Sequence, residues 1–163
     1  MPSTSDPDGK PGHVQPLGLF GIIASESKFA QLRGSLDARR GEIEDAERSA
    51  IAAYLRGGAI VFAMMEWTND VLEGAFDLAG GSAVLTDGRY YWRRDSAEYV
   101  ERYGIGLPDE FLQRGRNAEW SLPTVERDAL LLIDAFLMKH GRRIGGSGSK
   151  EADKASRTGR GDR

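Results

Sequence analysis

The sequence predicts an α+β domain in which a small antiparallel sheet of about three strands packs against four to five helices. Three observations lead to this fold class. Residues 42–58 have the apolar spacing of an amphipathic helix, residues 82–94 form two β-prone runs around Asp87-Gly88, and residues 124–140 make an almost wholly apolar helix. Strands grouped apart from helices are typical of α+β proteins.

Composition limits the domain to the middle of the chain. The 163 residues suit one domain, but residues 1–16 hold four prolines, and residues 141–163 hold one large apolar residue, Ile144. We therefore predict a disordered leader over 1–16, a single globular domain over 17–140 and a disordered basic tail over 141–163. The net charge of −3 divides into −8 for residues 1–138 and +5 for residues 139–163.

The elements follow in order along the domain. Residues 25–36 and 42–58 are expected to be helices, and the apolar run 59–65 is expected to be a strand buried on both faces. Residues 66–81 are a connection whose middle forms a helical turn, and the hairpin 82–94 follows. Asp95 has the spacing of a capping box with Glu98 and begins a helix that ends at Gly104, and Pro108 opens another. The last helix, 124–140, is expected to be deeply buried or to form a homodimer.

The hairpin supplies the candidate binding residues. Aromatic and basic side chains alternate there, a composition that binds proteins or nucleic acid. Since side chains alternate between the faces of a strand, one face is expected to bury its rings in the core and the other to expose at most one or two. The simpler alternative is that the whole run is structural. The candidate residues are Arg89, Tyr90, Tyr91, Trp92, Arg93 and Arg94.

An acidic series is the candidate metal site. If residues 66–77 were helical, four carboxylates spaced i, i+4, i+7 and i+11 would line one face and hold Mg²⁺ or Ca²⁺. A solvated helix face is the commoner explanation of such a pattern. The four residues are Glu66, Asp70, Glu73 and Asp77.

Other common chemistries find little support. The chain has no cysteine, which excludes disulfides, thiol nucleophiles and cysteine-based zinc sites. His13 falls in the predicted leader and His140 at a helix end, so neither is expected to be catalytic. The glycine pairs lack the pattern of a phosphate-binding loop, and we expect no cofactor.

Residues 84–112 resemble a pattern of small uncharacterised bacterial proteins: a hairpin of the LTDG-x-Y/W-x-W kind, a helix with Y-V-x-x-Y, and LP-x-x-F. The resemblance implies a compact α+β domain and assigns no catalytic residues. Some such proteins resemble the immunity proteins of bacterial toxin systems, which are small, acidic and non-enzymatic. The matching residues are Leu85, Thr86, Asp87, Gly88, Tyr90, Trp92, Tyr99, Val100, Tyr103, Leu107, Pro108 and Phe111.

The sequence thus favours a non-enzymatic cytoplasmic module that binds a protein partner, and the resemblance implies a module of the immunity kind. The acidic body predicts that the partner is basic. No export signal and no apolar run long enough for a membrane span are visible, so no membrane association is expected. The alternatives are a cation-dependent hydrolase that uses the acidic series, and a protein that associates with nucleic acid through its basic tail and the hairpin arginines.

Overall fold

The computed structural model describes residues 10–21 and 26–145, with the side chains of residues 141–145 and Glu26 excepted. It has six α-helices and six strands in this part of the chain. The strands are β1 (Gln15–Pro16), β2 (Ala59–Phe62), β3 (Trp67–Asn69), β4 (Asp77–Ala79), β5 (Val84–Thr86) and β6 (Tyr90–Arg93). The helices are α1 (Glu26–Ala30), α2 (Arg33–Asp37), α3 (Asp45–Arg56), α4 (Ser96–Tyr103), α5 (Asp109–Asn117) and α6 (Arg127–Gly145).

The α+β class is confirmed, with more sheet than predicted. Four strands form one sheet in the order β1-β6-β5-β2, and β3 pairs with β4 in a separate two-stranded ribbon. Strand β5 is antiparallel to both of its neighbours, as the predicted hairpin requires, but β1 is parallel to β6. The main sheet is therefore mixed, whereas the sequence predicted three antiparallel strands.

Strand β1 lies inside the predicted leader. The amide of Gln15 donates to the carbonyl of Arg89 at 2.8 Å, and the amide of Leu17 donates to Tyr91 at 3.0 Å. Val14 is buried beside α6. The ordered domain thus begins before Leu17, because the edge of β6 offers backbone partners that the proline-rich composition did not reveal. At the other end, α6 runs to Gly145, past the predicted domain end at residue 140 and into the predicted tail. Residues 1–9 and 146–163 lie outside the described residues, so the predictions of disorder there stay predictions.

Two details of the helices differ from expectation. The single helix predicted over 25–36 is divided into α1 and α2, because the chain tightens at Gln31 and Leu32, whose amides donate to carbonyls three residues earlier. Asp95 precedes α4 as predicted, but its side chain makes no capping hydrogen bond. Gly104 ends α4 in the left-handed region at φ 61°, as the sequence indicated.

The main sheet is the middle layer of the domain. Leu85, Tyr90 and Trp92 pack into a large core with α3, α4 and α5, whereas Val84 and Tyr91 face α6 on the opposite side. This alternation is the two-residue period of a strand covered on both faces. None of the helices in the described residues has the length and apolar character needed to cross a membrane.

Strand β2 corrects another prediction. The run 59–65 was expected to be a strand buried on both faces, but β2 ends at Phe62 and lies at the edge of the sheet. Ile60 is half exposed, and Met64 and Met65 beyond the strand are exposed. Apolar content alone does not distinguish a central strand from an edge strand, which is why the sequence was misleading here.

Candidate functional site

The predicted binding face of the hairpin is largely inside the protein. Tyr90, Trp92 and Arg93 are 2%, 0% and 1% exposed, and Tyr91 is half buried beneath α6. The indole Nε1 of Trp92 donates to the carbonyl of Leu55 at 2.9 Å. The expectation that one face buries its rings is correct. The expectation of exposed rings on the other face is wrong, because α6 covers that face.

The arginines of the hairpin have separate environments. Arg93 is buried and donates to both carboxylate oxygens of Asp95, at 3.0 and 2.8 Å. Arg94 is exposed, and Arg89 is partly buried and paired with Glu110. A continuous aromatic and basic surface that could stack bases is therefore not formed by these six residues.

The acidic series does not form a metal site. Residues 66–77 are not helical: they contain β3 and the turn that joins it to β4, so the four carboxylates do not share a helix face. Glu66 accepts from the hydroxyl of Ser82, Glu73 pairs with Arg40, and Asp77 begins β4. Among the residues that the structure describes, no group of three or more His, Asp or Glu side chains could hold a metal ion.

Asp70 instead fixes the turn between β3 and β4. Its carboxylate accepts from the amides of Leu72 and Ala75, at 2.9 and 3.0 Å, and from the hydroxyl of Tyr103. Burial acts to raise the pKa of Asp70, but these hydrogen bonds lower it below its ordinary value. Burial and the Asp70 carboxylate raise the pKa of Tyr103 to about 12. The pair therefore has a structural role: it joins the turn to α4.

Four of the exposed large apolar side chains fall within residues 60–67, in β2, in β3 and in the segment between them. Met65 is 92% exposed and Trp67 is 67% exposed. Trp67 lies opposite Ala79 in the ribbon, and so small a neighbour leaves the indole ring uncovered. Exposed apolar side chains grouped in this way mark an interaction site more often than scattered ones do. We call the group formed by Ile60, Met64, Met65 and Trp67 the β2–β3 surface.

The β2–β3 surface has acidic neighbours. Residues 57–88 contain five carboxylates and neither lysine nor arginine. Glu66 directly precedes Trp67, and Asp77 lies on the same exposed side of the ribbon, opposite Asn69. In the described part of the chain, neither carboxylate forms an ion pair with a basic side chain, whereas Glu73 does with Arg40. The surface is thus apolar with a negative border.

Helix α6 carries a second exposed apolar stripe. Ile133 and Leu137 are buried against the sheet, whereas Leu131 and Met138 are about half exposed. Ala135 is also exposed and completes the i, i+4, i+7 spacing of a single helix face. The sequence predicted a helix apolar nearly all round, and the structure leaves part of that apolar surface open.

The turn of the hairpin borders a cleft. Gly88 has φ 94°, whereas Asp87 has no positive φ, so only one of the two predicted turn positions is left-handed. The carboxylate of Asp87 closes the turn by accepting from the amides of Arg89 and Tyr90. A cleft of about 260 Å³ lies between this turn, α5 and the start of α6, with Arg89 and Arg114 in its wall.

The two histidines share one aromatic partner. His13 and His140 lie on Phe136 of α6, with ring centroids 4.4 and 4.5 Å away. His13 belonged to the predicted leader, yet it contacts α6. Neither ring is recorded in a hydrogen bond to a hydroxyl in the described residues, so neither has the geometry of a base that activates a nucleophile.

Sequence reasoning missed the β2–β3 surface because it assigned 59–65 to the core. The available signal was the consecutive pair Met64-Met65 followed by Trp67 in a segment without basic residues. Comparisons of the chain with family models, curated proteins and solved structures found no match. The function is therefore inferred from the surface chemistry.

Proposed function

We propose that the chain is a non-enzymatic protein-binding module whose partner covers the β2–β3 surface. The observation that carries this proposal is the exposure of Trp67 beside the fully exposed Met65. Tryptophan is among the residues that contribute most to binding free energy in protein interfaces, and methionine adapts to varied partners. An indole that serves only the fold is normally covered, as the ring of Trp92 is.

The charges support a basic partner. Glu66 precedes Trp67 in the chain and Asp77 lies on the same exposed side of the ribbon, and neither forms an ion pair with a basic side chain of the described residues. Carboxylates at the border of an apolar patch raise the association rate of a basic partner and disfavour an acidic one. This agrees with the acidic character of residues 1–138, which predicted the same preference.

The outer edge of β2, which pairs with no further strand in the described part of the chain, supports an extended binding segment. An edge strand presents unpaired backbone amides and carbonyls, and Ala59–Phe62 contains none of the charges or prolines that usually block such pairing. The strand is only four residues long and its pairing with β5 is irregular between Ile60 and Phe62. Backbone pairing is therefore short, and side chains of the β2–β3 surface supply most of the affinity.

The resemblance to immunity proteins supports a more specific version of the proposal. In this version the partner is a basic toxin domain, and binding in the cytoplasm blocks the activity of that toxin. The support for this version is the LTDG hairpin pattern together with the acidic surface. It adds a class of partner to the proposal, which itself depends only on the β2–β3 surface.

The test is affinity capture with tagged full-length protein from the lysate of the cells that make it, with and without nuclease. We expect one stoichiometric, nuclease-resistant basic protein with the wild type, and its loss with Trp67→Ala. Leu131→Ala is the matched control, because Leu131 is also more than half exposed but lies on α6. Equal capture by Trp67→Ala and wild type would show that the partner binds elsewhere.

The structure bears differently on the two alternative functions, hydrolysis and nucleic-acid binding. The cation-dependent hydrolase loses its basis, since the acidic residues do not meet. Nucleic-acid association through residues 141–163 stays a prediction, because most of that tail lies outside the described residues. Of the hairpin arginines expected to take part in this association, Arg93 is buried and cannot contact nucleic acid. The nuclease arm of the capture experiment tests it.

A further inference from the structure

A second feature, independent of the β2–β3 surface, lies at the other side of the hairpin turn. The cleft of about 260 Å³ adjoins a shallower depression of about 370 Å³ along α5. Arg89 and Arg114 belong to the walls of both. Two arginine side chains thus line both depressions in a protein whose net charge is negative.

Two of the carboxylates around this space already have donors. Asp87 accepts from the amides of Arg89 and Tyr90 through Oδ1, and from the hydroxyl of Tyr54 through Oδ2 at 2.7 Å. Glu110 accepts from Nη2 of Arg89. Both carboxylates already accept hydrogen bonds within the protein, so neither is expected to bind a ligand.

The donors, in contrast, are not all used. The Nε of Arg89 is buried and has no hydrogen-bond partner. No ion pair or hydrogen bond of Arg114 is recorded among the described residues, although the side chain is partly buried. Because that Nε is enclosed by the protein, a ligand in the cleft meets the guanidinium of Arg114 and the terminal nitrogens of Arg89, one of which donates to Glu110.

The start of α6 adds further donors. Residues 123–126 and Ala129 line the cleft, and the amides of the first helical turn have no acceptor inside the helix. The positive end of the helix dipole therefore lies at the same space as the two arginines. Glu126 also lines the cleft, but it is exposed, and solvent screens its charge.

We propose that this cleft binds a small anion through the guanidinium groups of Arg89 and Arg114. The ligand supplies carboxylate or phosphate oxygens, whose planar or tetrahedral arrangement suits the fixed N–H groups of arginine. The volume of about 260 Å³ lies below the range of pockets for drug-sized molecules, which limits the ligand to a compact one.

The test is titration of the full-length protein with inorganic phosphate and, separately, with succinate, followed by the backbone amide NMR signals of Gly88 and Ala129. We expect saturable shifts, and the tighter of the two anions identifies the oxygen chemistry that the cleft prefers. Arg114→Gln is expected to weaken binding at least about tenfold, the loss of one charge-assisted hydrogen bond. Arg89→Lys is expected to weaken it as well, because lysine keeps the charge but lacks the second fixed donor.

Arg94→Gln is the matched control, since Arg94 lies on the same hairpin, is exposed, and is not part of the cleft wall. It removes the same charge and should leave the titration unchanged. Equal weakening by Arg94→Gln and Arg114→Gln would overturn the proposal, because the attraction would then be nonspecific. No saturable shift with either anion would also overturn it. If Arg89→Lys unfolds the protein, Arg114→Gln alone decides between these outcomes.

Discussion

Arg93 and Asp95 form a two-point ion pair inside the protein, with Nε and Nη2 of the guanidinium on the two carboxylate oxygens. Both side chains are buried, and the guanidinium of Arg93 lies over the ring of Phe29 at 3.8 Å. The pair joins the end of β6 to the start of α4. It also accounts for the missing helix cap, because the carboxylate of Asp95 is directed to Arg93.

Removal of one partner should be costly. We expect Asp95→Ala to lower the free energy of unfolding by about 3–5 kcal/mol, because it leaves the charge of Arg93 buried without its carboxylate. Urea denaturation measures this loss. The double variant Arg93→Met/Asp95→Leu removes both charges and is the control: it should be clearly more stable than Asp95→Ala. A double variant no more stable than the single one would contradict this account.

Two tryptophan substitutions should differ widely in their effect on stability. Trp92→Ala is expected to lower the free energy of unfolding by about 3–5 kcal/mol, because it removes a fully buried ring and its hydrogen bond to Leu55. Trp67→Ala is expected to change it by less than about 0.5 kcal/mol, as for most exposed sites. Thermal or urea unfolding of both variants is sufficient. A large loss with Trp67→Ala would mean that the indole serves the fold.

Alanine substitutions at two glycines distinguish the effect of steric crowding on stability from the effect of helix propensity. A Cβ at Gly58 would lie 2.6 Å from Cζ2 of Trp92, whereas one at Gly34 in α2 meets nothing within 4 Å. Gly58→Ala should therefore destabilise the protein by about 1–3 kcal/mol. Gly34→Ala should stabilise it by about 0.5–1 kcal/mol, because alanine loses less conformational entropy in a helix. Shifts of the denaturation midpoint in the same direction for both variants, relative to the wild type, would refute this contrast.

Asp70 should make the protein sensitive to acid. Its pKa is lowered in the folded state, so the unfolded chain binds more protons between that value and the unfolded value of about 3.9. The stabilisation is therefore complete above about pH 4 and is lost as the pH falls through the folded pKa. Asp70→Asn should flatten the dependence of unfolding free energy on pH below about 4. An unchanged acid slope would show that other carboxylates dominate it.

The predicted homodimer through the last helix has a specific basis in Leu131 and Met138 on α6. We expect sedimentation equilibrium to give a dimer for the wild type and a monomer for Leu131→Glu/Met138→Glu, since charges on an apolar contact disfavour burial. At concentrations low enough for both proteins to be monomeric, the wild type and the double variant should have similar free energies of unfolding. A wild type that stays monomeric at high concentration would rule the homodimer out and leave the stripe as solvent-exposed surface.

The sequence predicted those elements whose determinants are local. Helix α3 has a regular apolar spacing, and the hairpin β5–β6 has the dipeptide Asp87-Gly88 between β-prone runs. Both are present close to the predicted bounds. Helices α4, α5 and α6 also follow from Gly104, Pro108 and the long apolar run, because these signals lie within a few residues of the structure that they determine.

Features that depend on distant partners were not predictable. The edge position of β2, and with it the β2–β3 surface, follows from the order of strands that are far apart in the chain. The burial of Arg93 depends on Phe29, 64 positions earlier. Of the candidate binding residues, only Arg89 lines the proposed anion cleft, and its partner Arg114 comes from a helix that periodicity cannot place beside the hairpin.

The parallel pairing of β1 with β6 bears on how the chain folds during synthesis. Gln15 lies opposite Tyr90, so a segment that leaves the ribosome early must wait until about 75 further residues have been made. Val14 must wait longer still, because its buried neighbours Ile133 and Leu137 on α6 are synthesised after Tyr90. The segment at the start of the ordered domain thus docks late, and closing the sheet at this edge is one of the last long-range steps of folding.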